Sequence, residues 1–333
     1  MKNSKGSMVI SLDFELLWGV RDKKTIESYG KEIEAVKVVI PKLLELFNEY
    51  DIKCTFSTVG FLFAKSKKEL VEYIPSKNPG YLNQNLSPYN GHLELVQDSA
   101  EKDSYHFAPD LIERIASDPK HSIGTHTFSH YYCLEPGQTL SEFEADIIAA
   151  KKIAEKNDIP ITSIVFPRNQ CNKDYLNVCK TLGIPIYRGN ENNWAFEGNR
   201  DKTGKGYVLL RRIFRGLDAY INIFGHHCYS WSSIKQDKTM YNIASSRLLR
   251  AYSKKLSFLE FLKIHRVKRS MKYAAKNGLI YHLWWHPHNF GADMDKNFES
   301  LKKILSYHKD LNKKYGFASD SMESLVKTIQ QNG

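Results

Sequence analysis

Apolar runs of strand character alternate with amphipathic helical stretches along most of this chain, and that alternation constrains the fold more than any other feature. Residues 8–12 form a continuous run of the kind a buried strand needs, and 52–59 is rich in β-branched and aromatic residues. Shorter strand-like runs follow at 121–124, 163–166, 184–187 and 279–285. Between them, Ile33, Val36, Ile40, Leu43, Leu44 and Phe47 recur near the helical period, which predicts a helix over 28–50 with Pro41 kinking or splitting it. Helices are also expected over 65–74, over 109–117, over 141–156 (capped by Thr139 or Ser141), over 174–182 (stopped by Gly183), over 257–277 (closed by Gly278) and over 298–315, with a shorter one from Ser321. Residues 208–224 read as extended, and 236–252 carry no clear pattern.

Strands separated by helices imply a parallel sheet with right-handed crossovers. The residues with chemical potential sit just after strands, where a (β/α) barrel gathers its functional groups. An α/β barrel, irregular in outline, is therefore the expected architecture, with a doubly wound open sheet as the alternative. At 333 residues and 42% hydrophobic, the chain suffices for one large domain, 1–333, with a core over about 8–290 and a helical C-terminal segment over 291–333. Residues 76–107 break the pattern with Pro79-Gly80, Asn90-Gly91 and little periodicity; they read as a long insertion after the second strand, a lid or a surface decoration.

The formal charge of +11 comes from lysines and arginines scattered through amphipathic stretches, and no nucleic-acid-binding motif accompanies them, so no nucleic-acid partner is expected. Such charge suits an acidic substrate or peripheral contact with an anionic membrane face. The five cysteines form no CxxC pair and lie in apolar settings, which fits reduced thiols. No secretory segment and no apolar run long enough to span a bilayer is present, so the expectation is a soluble cytoplasmic protein.

The chemistry centres on Gly124-Thr125-His126-Thr127-Phe128-Ser129-His130. Two histidines four apart on a tight or helical turn present both imidazoles on one side, as a divalent metal requires. The Glu that would follow the first His in a zincin is Thr127, which excludes that protease motif. An oxygen ligand is available from Asp13-Phe14-Glu15, where strand alternation turns both carboxylates to one face and Phe14 to the core. One carboxylate can bind the metal and the other take a proton from water. Arg168, in Phe166-Pro167-Arg168-Asn169-Gln170, either holds a catalytic carboxylate ionised or makes a structural ion pair, and Asn169 can donate to an oxyanion. Trp284-Trp285-His286-Pro287-His288-Asn289 offers two tryptophans as an apolar wall for a sugar ring and His286 as a general acid; the alternative is an aromatic core cluster.

In order, Ser11-Leu12-Asp13-Phe14-Glu15, His126-Thr127-Phe128-Ser129-His130, Phe166-Pro167-Arg168-Asn169-Gln170 and Leu283-Trp284-Trp285-His286 resemble the four motifs of the polysaccharide deacetylase family, the family-four carbohydrate esterases. The resemblance implies a distorted (β/α) barrel and a divalent metal, most often Zn2+. It casts Asp13 as catalytic base, His126 and His130 as metal ligands, Arg168 as the arginine that holds the base, and His286 as general acid. The family's second aspartate is Phe14 here, and Glu15 takes its place as the acidic ligand, although Asp13 and Glu15 could exchange roles. No motif positioning the catalytic histidine is evident; Asp218, Trp194 and His226-His227 are candidates. The implied activity is removal of an acetyl or other short acyl group from an N-acylated sugar; the lack of a secretory segment and the basic charge point to a lipid-linked or nucleotide-linked precursor of a bacterial surface glycan. A linear-amide hydrolase acting on a small nitrogenous metabolite, or a carbohydrate-binding protein with a degenerate site, are the alternatives.

Overall fold

The computed structural model describes residues 5–196, 205–237 and 239–332. Nine strands form one sheet: β1 (Ser7–Phe14), β2 (Cys54–Thr58), β3 (His121–Thr125), β4 (Ser163–Ile164), β5 (Ile186–Tyr187), β6 (Tyr241–Asn242), β7 (Arg247–Leu248), β8 (Ile280–Trp285) and β9 (Ala318–Asp320). Their order is β6-β5-β4-β3-β2-β1-β8-β7, every pairing along it is parallel, and β9 adds to β1. Chain order thus runs round the sheet as in a barrel, but among the described residues β6 and β7 do not pair. The result is a curled, open form of the distorted (β/α) barrel.

The helices are α1 (Ile26–Glu34), α2 (Val36–Glu49), α3 (Lys67–Tyr73), α4 (Pro109–Ala116), α5 (Leu140–Glu155), α6 (Lys173–Thr181), α7 (Lys205–Asp218), α8 (Trp231–Ile234), α9 (Glu260–Asn277), α10 (Met294–Tyr315) and α11 (Met322–Asn332). Thr139 opens α5 with a capping box to Glu142, and α9 and α10 end on Gly278 and Gly316, both left-handed. Two expectations change. The 28–50 helix is two helices divided at Ala35, with Pro41 inside α2 rather than at the break. The segment expected to be extended over 208–224 is largely α7.

All eight residues of β1 are buried, because β2 and β8 flank it, Met8, Ile10, Leu12 and Phe14 enter the large apolar cluster on one face, and Val9 packs with Val165, Ile186 and Ile280 on the other. One large apolar cluster joins Ile10, Leu12, Phe14, Val36, Ile40 and Phe47 to Phe56, Ile123, Leu283 and Trp285. The 76–107 insertion is anchored to this body. The Trp18 indole donates to the carbonyl of His106 at 2.9 Å, and Arg21 donates to the carbonyl of Leu86 at 2.5 Å. The insertion therefore braces the loop that follows β1. No helix among the described residues is long and apolar enough to cross a membrane.

Candidate metal centre and acid–base site

Asp13 lies on β1 opposite Ser57 of β2, and Glu15 follows the strand's last residue. Phe14 is 1% exposed in the core, so the two carboxylates share the other face, as strand alternation requires. Gly19 folds back over Glu15 so closely that a Cβ there would collide with the Glu15 carboxylate. The glycine leaves room for that carboxylate in a fully buried position.

His126 follows β3 and begins a turn rather than a helix. Thr127 and His130 are both left-handed, at φ 65° and 56°. A β-branched residue seldom adopts that conformation, and partners hold it here. The Thr127 hydroxyl accepts from the Tyr131 amide at 2.7 Å, while Asp146 of α5 accepts from the amides of Phe128 and Ser129 at 2.7 and 3.1 Å and from the Ser129 hydroxyl. The turn aims both imidazoles at Glu15. Its Oε2 lies 3.3 Å from His126 Nε2 and 3.0 Å from His130 Nε2.

Glu15, His126 and His130 are buried and bring one donor atom each within 4.8 Å of one another. His126 Nδ1 donates to the Val165 carbonyl at 2.7 Å, which leaves the Nε2 lone pair facing Glu15, as a metal-ligating histidine requires. His130 Nδ1 instead meets the Arg21 guanidinium at 3.3 Å. A guanidinium only donates, so this contact has to open when Nε2 is given to a metal. Burial pushes His130 down to about 3, which keeps it neutral. Burial opposes the charge on Glu15, but His286, His126 and His130 outweigh it and hold its carboxyl well below the usual range. Two imidazole nitrogens and one ionised carboxylate suit a divalent cation such as zinc.

The arginine on Asp13 is Arg188, not Arg168. Arg188 follows β5 and grips Asp13 through two bonds, 2.6 Å to Oδ1 and 2.8 Å to Oδ2, with both side chains buried. It also donates to the Ser11 hydroxyl at 2.9 Å and to Asn169 Oδ1 at 3.2 Å. Burial works against the Asp13 charge, and Arg188, with His126 and His286 nearby, holds its pKa below the ordinary value. Arg168 turns the other way. It is left-handed (φ 55°), pairs with Asp22 at 2.5 Å and Glu135 at 3.3 Å, and stacks on Tyr132. Its Pro-Arg-Asn turn directs the side chain away from β1, and the next strand-end arginine takes the contact expected of it.

His286 follows β8 with Nε2 3.8 Å from Asp13 Oδ2 and 3.6 Å from Glu15 Oε1. These separations exceed a direct hydrogen bond, and an atom placed between the groups is within reach of all three. His286 stacks on the buried His288, which burial pushes down to about 4. His282, two residues before Trp284, is wholly buried between the Ile243 carbonyl and the Ser11 hydroxyl at 2.8 Å each.

The two tryptophans separate by strand alternation. Trp285 is 0% exposed and stacks on Phe290 in the core, so it cannot meet a substrate. Trp284 faces the site side, 5.6 Å from His286 and with the Arg188 guanidinium 4.2 Å above its ring. None of the candidates for positioning His286 has a contact with it. Asp218 is bound to Arg247 and to the amides of Ile223 and Phe224, Trp194 packs on Tyr207, Phe214 and Phe224, His226 stacks on Tyr273, and the His227 ring packs on Phe196. Arg188, Asp146 and His282 are site residues that the motifs do not reveal. Only Arg188 carried a signal, its place just past a strand.

Residues 30–187 match the family model described as polysaccharide deacetylase, a span that takes in His126, His130, Arg168 and Asn169 and bears out the resemblance at those two motifs. No curated protein matches the sequence. Among solved structures, a Mycobacterium smegmatis protein assigned to the polysaccharide deacetylases superposes with a TM-score of 0.63 at 11% identity, over 100% of this chain and 93% of that one. A Pseudomonas aeruginosa PAO1 protein with the same assignment gives 0.53 at 8%, over 96% and 89%, and Puue allantoinase gives 0.53 at 10%, over 98% and 90%. At these identities the likeness is one of fold.

Proposed function

We propose that this chain is a metal-dependent hydrolase that removes an acetyl or other short acyl group from the nitrogen of an N-acylated sugar, in a bacterial surface-glycan precursor handled in the cytoplasm. The observation that carries the reading is the meeting of two sets. Glu15, His126 and His130 converge on one point, and the Asp13–Arg188 pair and His286 border it.

Glu15, His126 and His130 would hold the ion, and Zn2+ suits them. Bound there, zinc would lower the pKa of water and polarise the amide carbonyl. Asp13 is the base. Arg188 fixes both of its oxygens and keeps it ionised, so it accepts the proton of the attacking water. His286 delivers a proton to the departing amine nitrogen. The Asn169 side chain gives its oxygen to Arg188 and leaves its amide nitrogen to the substrate. Trp284 offers the apolar surface at the rim. The same acid–base arrangement would serve a small linear amide, but the cavity beside Trp284 favours a larger substrate. A second part of the proposal is peripheral contact with an anionic membrane, supported by exposed apolar residues on α7 beside Arg212 and Arg215.

The test is elemental analysis of the purified protein beside a His126→Ala/His130→Ala variant, with acetate release from N-acetylated sugars measured on both. About one divalent ion per chain, lost together with activity in the variant, is expected. Full metal and full activity in the variant would overturn the assignment.

A further inference from the structure

A cavity of about 430 Å3 opens over the ends of β4, β5, β7 and β8, and Asn169 and Trp284 form part of its wall. Both touch Arg188, which grips Asp13. The cavity is therefore one side chain away from the acid–base site. Its remaining wall is rich in arginine: Arg212 and Arg215 from α7, Arg247 on β7, and Arg250 just beyond.

Among the described residues, only Arg247 of these four has a carboxylate partner, Asp218, at 2.9 Å. Arg212 and the Arg215 guanidinium have no hydrogen bond or ion pair with any described residue, and Arg250 reaches only the Arg215 carbonyl, at 3.4 Å. Among the described residues, the one carboxyl in the lining is Glu191. Burial raises its pKa against the pull of Ser245, Arg188 and Arg247, which weakens it as a counter-charge. Burial and neighbouring arginines lower Arg215 in turn, with Arg211 and Arg250 foremost among them. Three guanidinium groups on one cavity wall, Arg215 half-buried and Arg212 and Arg250 exposed, have no carboxylate partner among the described residues and together form an anion site, since a guanidinium gains from a charge-assisted bond.

We propose that this cavity binds a phosphoryl group of the substrate, so that the acylated sugar presented to Asp13 and Glu15 is a phosphorylated or diphosphate-linked one. The proposal rests on the hydrolase reading for its link to catalysis. A phosphate monoester carries about two negative charges near neutrality, closer to the unmatched arginine charge than the single charge of a sugar carboxylate. The planar fork of each guanidinium also matches two phosphate oxygens at once.

Inorganic pyrophosphate is the first probe, titrated by calorimetry at physiological ionic strength. It should bind saturably, and Arg215→Gln and Arg250→Gln should each weaken it roughly tenfold or more, with thermal melting unchanged. His126→Ala should leave this binding intact. Metal-loaded protein should then show a higher kcat/KM on N-acetylglucosamine 1-phosphate than on N-acetylglucosamine, a preference erased in the Arg215→Gln/Arg250→Gln variant. Two further substrates, one linked through diphosphate to a nucleoside and one to a polyprenyl chain, separate a soluble source from a membrane-borne one. No saturable pyrophosphate binding, binding indifferent to the arginine variants, or equal competition by N-acetylmuramic acid would overturn the proposal. Arginine-dependent pyrophosphate binding without hydrolysis of any N-acyl sugar would keep the anion site and overturn the hydrolase reading.

Discussion

Arg168 and Arg188 both follow strands, both carry one charge, and both have carboxylate partners, yet their surroundings give them different weight. Arg188 and Asp13 are buried together, and removing one leaves the other charge without compensation in the core. Arg168 is half-buried between Asp22 and Glu135 and over the Tyr132 ring, so its loss leaves two carboxylates that keep some access to water. Arg188→Met should therefore destabilise the protein by about 3–5 kcal/mol and remove activity. The Asp13→Asn/Arg188→Met pair should recover part of the stability and none of the activity. Arg168→Gln should cost less than Arg188→Met, about 1–3 kcal/mol, and leave most of the activity. Denaturant melts and acetate release on the four proteins check this. An Arg168→Gln variant as inactive as Arg188→Met would return the base-holding role to Arg168. The Phe166-Pro167-Arg168 motif is visible in the sequence, but the left-handed turn that carries its side chain away from β1 is not, because it depends on where Asp22 and Tyr132 come to rest.

Elements were legible where a single periodicity governed them. The buried runs of β1, β2 and β8 and the capped helices α5 and α9 follow from local sequence, and so does the shared face of Asp13 and Glu15. The same alternation separates Trp284 from Trp285, but it does not say which faces the core; the stacking on Phe290 decides that. α7 reads as extended because Tyr207, Val208, Ile213 and Phe214 are β-branched or aromatic residues that favour strands. The turn from His126 to His130 depends on α5, through Asp146. Burial raises that carboxyl from 3.8 to about 6 despite its three donors. The folded protein thus holds the Asp146 proton more tightly than the unfolded chain, so stability from this group falls as pH rises from about 4 to about 6, by about 3 kcal/mol in all. Asp13 acts in the opposite sense, and its contribution is lost as pH falls below about 4. Thermal melts across this range should show the Asp146 slope in the native protein and its absence in Asp146→Asn. An unchanged slope in the variant would show that the carboxylate is already ionised by its donors.

On the scale of the whole molecule, the curled sheet gathers its chemistry at one end, and α7 carries an unusual surface near that end. Leu209, Ile213 and Leu217 are 58%, 49% and 46% exposed at four-residue spacing, so they form one outward stripe. Arg212, three residues from Leu209, lies on the adjoining edge of the helix, and it lines the arginine cavity together with Arg215. An apolar stripe bordered by cations is the pattern of a helix that lies in a membrane interface, and the +11 charge favours an anionic one. Phosphatidylcholine vesicles containing phosphatidylglycerol should therefore sediment the protein, and vesicles of phosphatidylcholine alone should do so less well. A Leu209→Ser/Ile213→Ser/Leu217→Ser variant should lose roughly tenfold or more of this binding, since each side chain would bury apolar area worth about 1 kcal/mol. Its metal content should be unchanged, because α7 contributes no ligand. Equal sedimentation of both proteins would remove the membrane reading. A native dimer that the variant converts to monomer, seen by light scattering, would instead assign the stripe to contact between copies of the chain.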